Sequence, residues 1–171
     1  MTEDLIGTLR PDGDRLAIRL ERSYKTDAAD LWSALTDPAR LSRWFARVDG
    51  DLRVGGTFCI YFDDEDADQR SLGQVQECDP PHRLTVTWYF REEGESVVRA
   101  ELAERPDGTQ LTLEHRRMPR GQAAGYSAGW QTYTEQLAAY LIGDPGRGGH
   151  WDQRWEQLMP GYRTQLAALG Q

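Results

Sequence analysis

Residues 125–129 read GYSAG, the G-x-S-x-G spacing that holds a serine nucleophile on a strained turn in acyl-transfer enzymes. Such an elbow needs a strand before it, a helix after it, and an acid and a histidine further along the chain. The preceding RRMPRGQAA (116–124) has no strand alternation, and the motif lies inside a helical pattern. His150 is the one histidine that follows, in a glycine-rich linker with too little chain after it for a hydrolase sheet. Ser127 is therefore not expected to act as a nucleophile.

Metal chemistry fares no better. His82, His115 and His150 share no ligand-like spacing with one another or with Cys59 and Cys78. The acidic stretch Asp63, Asp64, Glu65, Asp66 and Asp68 opens like a calcium loop, D-x-D-x-D from Asp64. Such a loop then requires Gly at its sixth place and Glu at its twelfth. Those places hold Gln69 and Val75, so a solvated hairpin tip is expected and no metal or cofactor. The two cysteines make no disulfide framework. A simple hairpin across the 63–70 loop would set Cys59 opposite Gln74, leaving two free thiols in a reducing compartment.

His115 holds more interest, because strand alternation puts it on the same face as Leu111 and Leu113. An inward imidazole near a strand end can bond a ligand or serve as general base. It can equally be a core histidine with its hydrogen bonds satisfied inside the protein, and both readings stay open here. Arg117 and Glu77 are inward by the same parity and would be its polar neighbours.

The elements that must position these residues follow from periodicity. RLAIRLERSY (15–24) alternates Leu16, Ile18 and Leu20 on one face and predicts a strand. Thr26-Asp27 offers an N-cap for a helix carrying Leu31, Trp32 and Leu35, and Asp37-Pro38 starts a second with Leu41, Trp44 and Phe45 on one side. Strand material at 47–54 turns at Gly55-Gly56 into the strand 57–62, with Phe58, Ile60 and Phe62 facing one way. Further strands are predicted at 71–78, 84–90, 96–103 and 109–116, separated by Pro80-Pro81, REEGE (91–95) and RPDGT (105–109).

From about 121 the period changes. Tyr126, Trp130, Tyr133, Leu137 and Leu141 recur at three and four, which predicts a helix of some twenty residues ending at Gly143. Gly121, Gly125 and Gly129 form a small-residue stripe on it, able to admit a close sheet or leave room for a ligand. Alternatively they mark an irregular loop, with the helix starting near Ala128. The tail, 143–171, reads as a Gly/Pro linker and two short helices split at Pro160-Gly161, docked on the domain by Trp151, Trp155, Leu158, Tyr162, Leu166 and Leu169. A dimer contact or a lid is the competing reading for that stripe.

Composition bounds the class of protein. With 171 residues the chain is one domain, 1–142, plus the appended 143–171. Hydrophobic residues make up 39%, with six Trp, enough for a core. A net charge of −8 repels phosphate backbones and anionic lipid, so neither nucleic acid nor membrane is an expected partner. MTEDLIG lacks the basic and apolar regions of a signal peptide, and a cytoplasmic location is expected.

The order strand, two short helices, six strands, long helix, together with LWSALTDPARLSRWF (31–45), VGGTF (54–58), PPHRLTVTW (80–88), GTQLTLEH (108–115) and GW (129–130), resembles the START-like (SRPBCC) helix-grip superfamily. Within it the chain is most similar to the family named after the activator of the ninety-kilodalton heat-shock protein ATPase. The likeness covers residues 10 to 142 and implies an α+β fold, a curved antiparallel sheet gripping a long C-terminal helix with a cavity between them. By that resemblance the expected role is binding a small hydrophobic or aromatic molecule. The ligand-binding residues would be Phe58, Ile60, Phe62, Trp88, Phe90, Leu113, His115, Tyr126, Trp130 and Tyr133. Two alternatives accompany it: a co-chaperone modulating a heat-shock protein ATPase, working through a chaperone contact or as a homodimer, and a cyclase- or hydratase-type enzyme using cavity His, Arg or Tyr. No catalytic residue is assigned; His115 is the first suspect for the last reading.

Overall fold

A computed structural model describes residues 5–63, 65–66, 69–90 and 94–170. The turn residues 91–93, Asp64 and Asp68 of the acidic loop, and residues 1–4 of the N-terminal reading lie outside the described residues. Eight strands, β1 (Gly7–Asp12), β2 (Arg15–Tyr24), β3 (Arg47–Gly50), β4 (Thr57–Tyr61), β5 (Arg70–Asp79), β6 (Arg83–Phe90), β7 (Glu95–Arg105) and β8 (Gly108–Met118), form one sheet in the order β1-β2-β8-β7-β6-β5-β4-β3. Every pair is antiparallel and the sheet is curved. Helices α1 (Ala28–Thr36) and α2 (Pro38–Trp44) carry the chain from β2 to the far edge strand β3. Their starts are chemical: Asp27 accepts from the Asp30 amide, and Asp37 accepts from the Ala39 amide with Pro38 at the first helical position.

The edge strand β1 is absent from the sequence reading, because only Leu9 of its apolar positions gives a period-two signal; pairing along β2 makes it a strand. Gly55 adopts φ +84°, and a Cβ on Gly56 would run into the Asp51 carbonyl, so the corner before β4 needs both glycines. Cys59 pairs with Leu72 instead of Gln74, because the loop is closed by the Phe62 amide on the Gln69 carbonyl; the two thiols stay free and apart.

Two β-bulges overturn the inward placement of Glu77 and Arg117. A register shift in β5 between Val75 and Glu77 turns Glu77 onto the outer face opposite Thr85, where it pairs with Arg83 at 3.5 Å. A shift between β2 and β8 leaves Arg117 at φ +60°, exposed and paired with Glu95, while Met118 takes the inward place at 0% exposure. Parity counts fail wherever one extra residue enters a strand.

Helix α3 (Arg120–Leu141) crosses the inner face, burying Ala123, Ser127, Ala128 and Leu137. It begins at Arg120, so the glycine stripe belongs to a helix and the reading of a loop up to Ala128 fails. After a short 3-10 turn (Pro145–Gly148), the tail is a single helix, α4 (Trp151–Ala168), in place of two. Pro160 sits inside it on the exposed side, where a missing N–H costs least, and Gly161 admits Leu5, whose Cδ1 would lie 2.8 Å from any Cβ there. Among the described residues no helix is long and apolar enough to cross a membrane.

Tyr162 ties α4 down. Fully buried, its hydroxyl accepts from the Gly7 amide at 3.1 Å and donates to Gln131 Oε1 on α3 at 2.5 Å. Gln165 adds bonds to the Gly7 carbonyl and Leu9 amide of β1. One phenol thus joins edge strand, central helix and tail. Tyr162→Phe should leave the Gly7 N–H buried without a partner and lower the unfolding free energy by about 1–3 kcal/mol, read by urea denaturation.

Candidate functional site

An opening runs along one side of α3. Gln122, Gly125, Tyr126, Gly129, Trp130 and Tyr133 line a cleft of about 1470 Å³ bounded by α4, the end of α2 and the β4–β5 end of the sheet. Its walls are aromatic, as ligand pockets generally are.

At the inner end Trp88 of β6 and Trp130 of α3 meet with ring centroids 5.4 Å apart, and the Trp88 indole donates to the Tyr126 hydroxyl at 3.2 Å. Phe45, just past α2, stacks on Trp130 at 6.0 Å and meets Tyr133 edge-on at 4.7 Å. Phe62 and Phe90 close the sheet side, edge to face at 5.9 Å. On the opposite wall Trp151 and Trp155 of α4 stack at 6.3 Å.

Those two indoles explain the glycines. A Cβ on Gly125 would stand 3.7 Å from Trp155 Cζ2, and one on Gly129 3.7 Å from Trp151 Cζ2. The Trp155 indole donates to the Gly125 carbonyl at 3.0 Å. Gly125 and Gly129 therefore receive the tail helix, while Gly121 has open space where a side chain would stand.

His115 sits behind the cleft, on β8, with no exposed surface. The Trp130 indole N–H donates to its Nδ1 at 3.0 Å, so that nitrogen carries the lone pair and the ring proton is on Nε2. Nε2–H then donates to the Ser96 hydroxyl at 2.7 Å, whose proton goes to the Trp88 carbonyl at 3.2 Å. Every donor in this chain has an acceptor. Burial pushes the imidazole down to about 3, so it is neutral at physiological pH and has no nitrogen left for a ligand.

Of the residues singled out from sequence, Phe62, Trp88, Phe90, Tyr126, Trp130 and Tyr133 come together in the cleft wall. Phe58, Ile60, Leu113 and His115 do not; they pack in the core beneath it. Those four side chains fill the space beneath α3, and the opening lies between α3, α4 and the end of the sheet that carries Phe62, Trp88 and Phe90. Ser127 is buried and donates to the Ala123 carbonyl of its own helix at 2.7 Å, with no strained turn near it. Exposed His82 lies outside the cleft; His150 caps α4 at its rim.

Sequence reasoning missed Phe45, Trp44, Trp151 and Trp155 as wall residues, and the charged rim. Asp63, Glu65 and Asp66 reach the rim from the β4–β5 loop, and Asp152 and Glu156 from α4. Two indoles four residues apart at the start of α4 were the available signal. Nothing short of the fold says that they face α3. Desolvation raises the Tyr133 hydroxyl above its ordinary range, and it has no hydrogen-bond partner among the described residues.

Residues 25–142 match the family model described as Activator of Hsp90 ATPase homolog 1-like protein. No curated protein matches the chain. Among solved structures, CalU16 from Micromonospora echinospora is 27% identical over 94% of this chain and 96% of that one, with a TM-score of 0.77. Protein MLL2253 from Mesorhizobium loti is 27% identical over 74% of this chain and 96% of its own, TM-score 0.68. DynU16, a protein in the dynemicin biosynthetic locus, is 29% identical over 79% of this chain and 49% of that one, TM-score 0.69.

Two outcomes follow from this geometry. An imidazole titrates near 6.5 when unfolded and near 3 here, so between those values the unfolded chain binds the extra proton and stability falls as pH drops. About 2–3 kcal/mol should be lost between pH 7 and 4.5 that a His115→Gln variant does not lose, and ring ¹⁵N shifts should report the neutral Nε2–H tautomer down to pH 5. An imidazolium signal at pH 6 would contradict the buried chain. Gly125→Ala, which meets Trp155 only at ordinary contact distance, should raise the unfolding free energy by up to about 1 kcal/mol.

Proposed function

The chain belongs to the Activator of Hsp90 ATPase homolog 1-like family, a START-like helix-grip fold, and from that premise we propose that it binds a small hydrophobic or aromatic molecule in the cleft between α3 and α4. The observation that carries the reading is the lining itself. Rings from α2, α3, α4 and β6 converge on one cleft instead of filling it. Desolvating an apolar ligand there yields about 25 cal/mol per Å² of apolar surface removed from water.

Polar groups for orientation are few and placed at the wall: the Tyr133 hydroxyl and the Gln122 amide. That ratio of apolar wall to polar handles suits a carrier or sensor. The occurrence of DynU16 in the dynemicin biosynthetic locus supports a natural-product-like ligand. The enzymatic alternative loses its first suspect, since both nitrogens of His115 are engaged inside the protein.

The test is native mass spectrometry of the protein purified from its own host, followed by denaturing extraction. A discrete retained mass of small-molecule size is the expected result. An empty protein, under conditions that retain ligand on a control helix-grip protein, would overturn the reading.

A further inference from the structure

Two indoles of α4 turn the same edge toward α3, with opposite results. Trp155 brings Cζ2 to 3.7 Å from where a Cβ on Gly125 would stand, and its adjoining N–H donates to the Gly125 carbonyl at 3.0 Å. Trp151, one turn earlier, brings Cζ2 to 3.7 Å from the corresponding place on Gly129. Its N–H is buried and meets no acceptor among the described residues. A buried N–H without an acceptor is rare in folded proteins, because the group loses its water and gains nothing in return.

A second donor without a partner stands beside it. The Tyr133 ring lies 5.3 Å from that of Trp151 on the wall of the cleft, and its hydroxyl has no hydrogen-bond partner among the described residues. Desolvation, reinforced by the charge of Asp152, raises this phenol above its ordinary range, so it stays protonated and donates. The same Asp152 charge opposes an anionic acceptor at this place.

Resting on the ligand-binding role above, we infer that the occupant carries an uncharged carbonyl, whose oxygen accepts from the Trp151 N–H and the Tyr133 hydroxyl while an aromatic body lies against Trp130 and Trp155. A carbonyl oxygen has two lone pairs, enough for both donors. Trp151 is the first residue of α4, and no side chain caps that helix start. Its ring turns as the ligand enters and brings the sealed N–H to the carbonyl.

The experiment titrates acetylnaphthalene, isopropenylnaphthalene and naphthoate, all substituted at the same ring position, into the whole protein. The indole ¹H–¹⁵N signals of its six tryptophans are followed, with Trp151 assigned from a Trp151→Phe variant. The ketone is expected to bind about tenfold tighter than the hydrocarbon of the same shape, and naphthoate more weakly than the ketone. The Trp151 indole proton should move downfield with the ketone and not with the hydrocarbon. Tyr133→Phe should narrow the preference for the ketone about threefold. Equal binding of ketone and hydrocarbon, tightest binding of naphthoate, or an unmoved Trp151 signal in the ketone complex overturns the carbonyl inference and leaves the cleft reading standing. If none of the three binds, the cleft reading itself fails and takes the inference with it.

Discussion

The hydrogen bond from the Trp130 indole to His115 sets the rotation of α3 on the sheet. It is made in a buried site, where an unpaired indole or imidazole would be costly, so the helix has little freedom to turn about its axis. With Trp130 held against β8, Ala123, Ser127 and Leu137 face the core, and Gly125, Gly129 and Tyr133 face the other way. The position of the cleft follows from that one orientation. The bond also decides the chemistry of the histidine, because a ring that accepts at Nδ1 and donates at Nε2 has nothing left for a ligand.

The tail turns this outward face into a site. By itself α3 would show water a strip of glycines and aromatic rings. Helix α4 lays Trp151 and Trp155 over the glycines and is anchored at its other end by Tyr162 and Gln165 on β1. Arg154, between the two indoles, bridges to Glu135 of α3 at 2.8 Å. The residues that close the fold and the residues that wall the cleft thus lie on one helix, at opposite ends.

Charge enters as a property of the site as well as of the molecule. A net −8 argues against polyanionic partners in general terms. Its local distribution says more, since the aromatic walls are ringed by carboxylates from two separate elements.

Much of this protein was legible in its residues. Alternation and caps located α1, α2, β2, β4 and β6–β8, and the three-and-four spacing located α3, because each of those elements buries one face and repeats its own period. Six of the ten site residues named from sequence stand in the cleft wall, and the other four lie on the same apolar faces but pack in the core beneath it. What local pattern could not supply was anything set by a partner distant in the chain. Bulges in β5 and β8 turned Glu77 and Arg117 outward, pairing with β2 made a strand of 7–12, and burial of Tyr162 carried α4 through Pro160. The sequence by itself determined which residues are apolar and at what period. Only the tertiary structure decided which apolar faces meet and which stay apart, because that choice depends on volume and hydrogen-bond satisfaction summed over elements a hundred residues from one another.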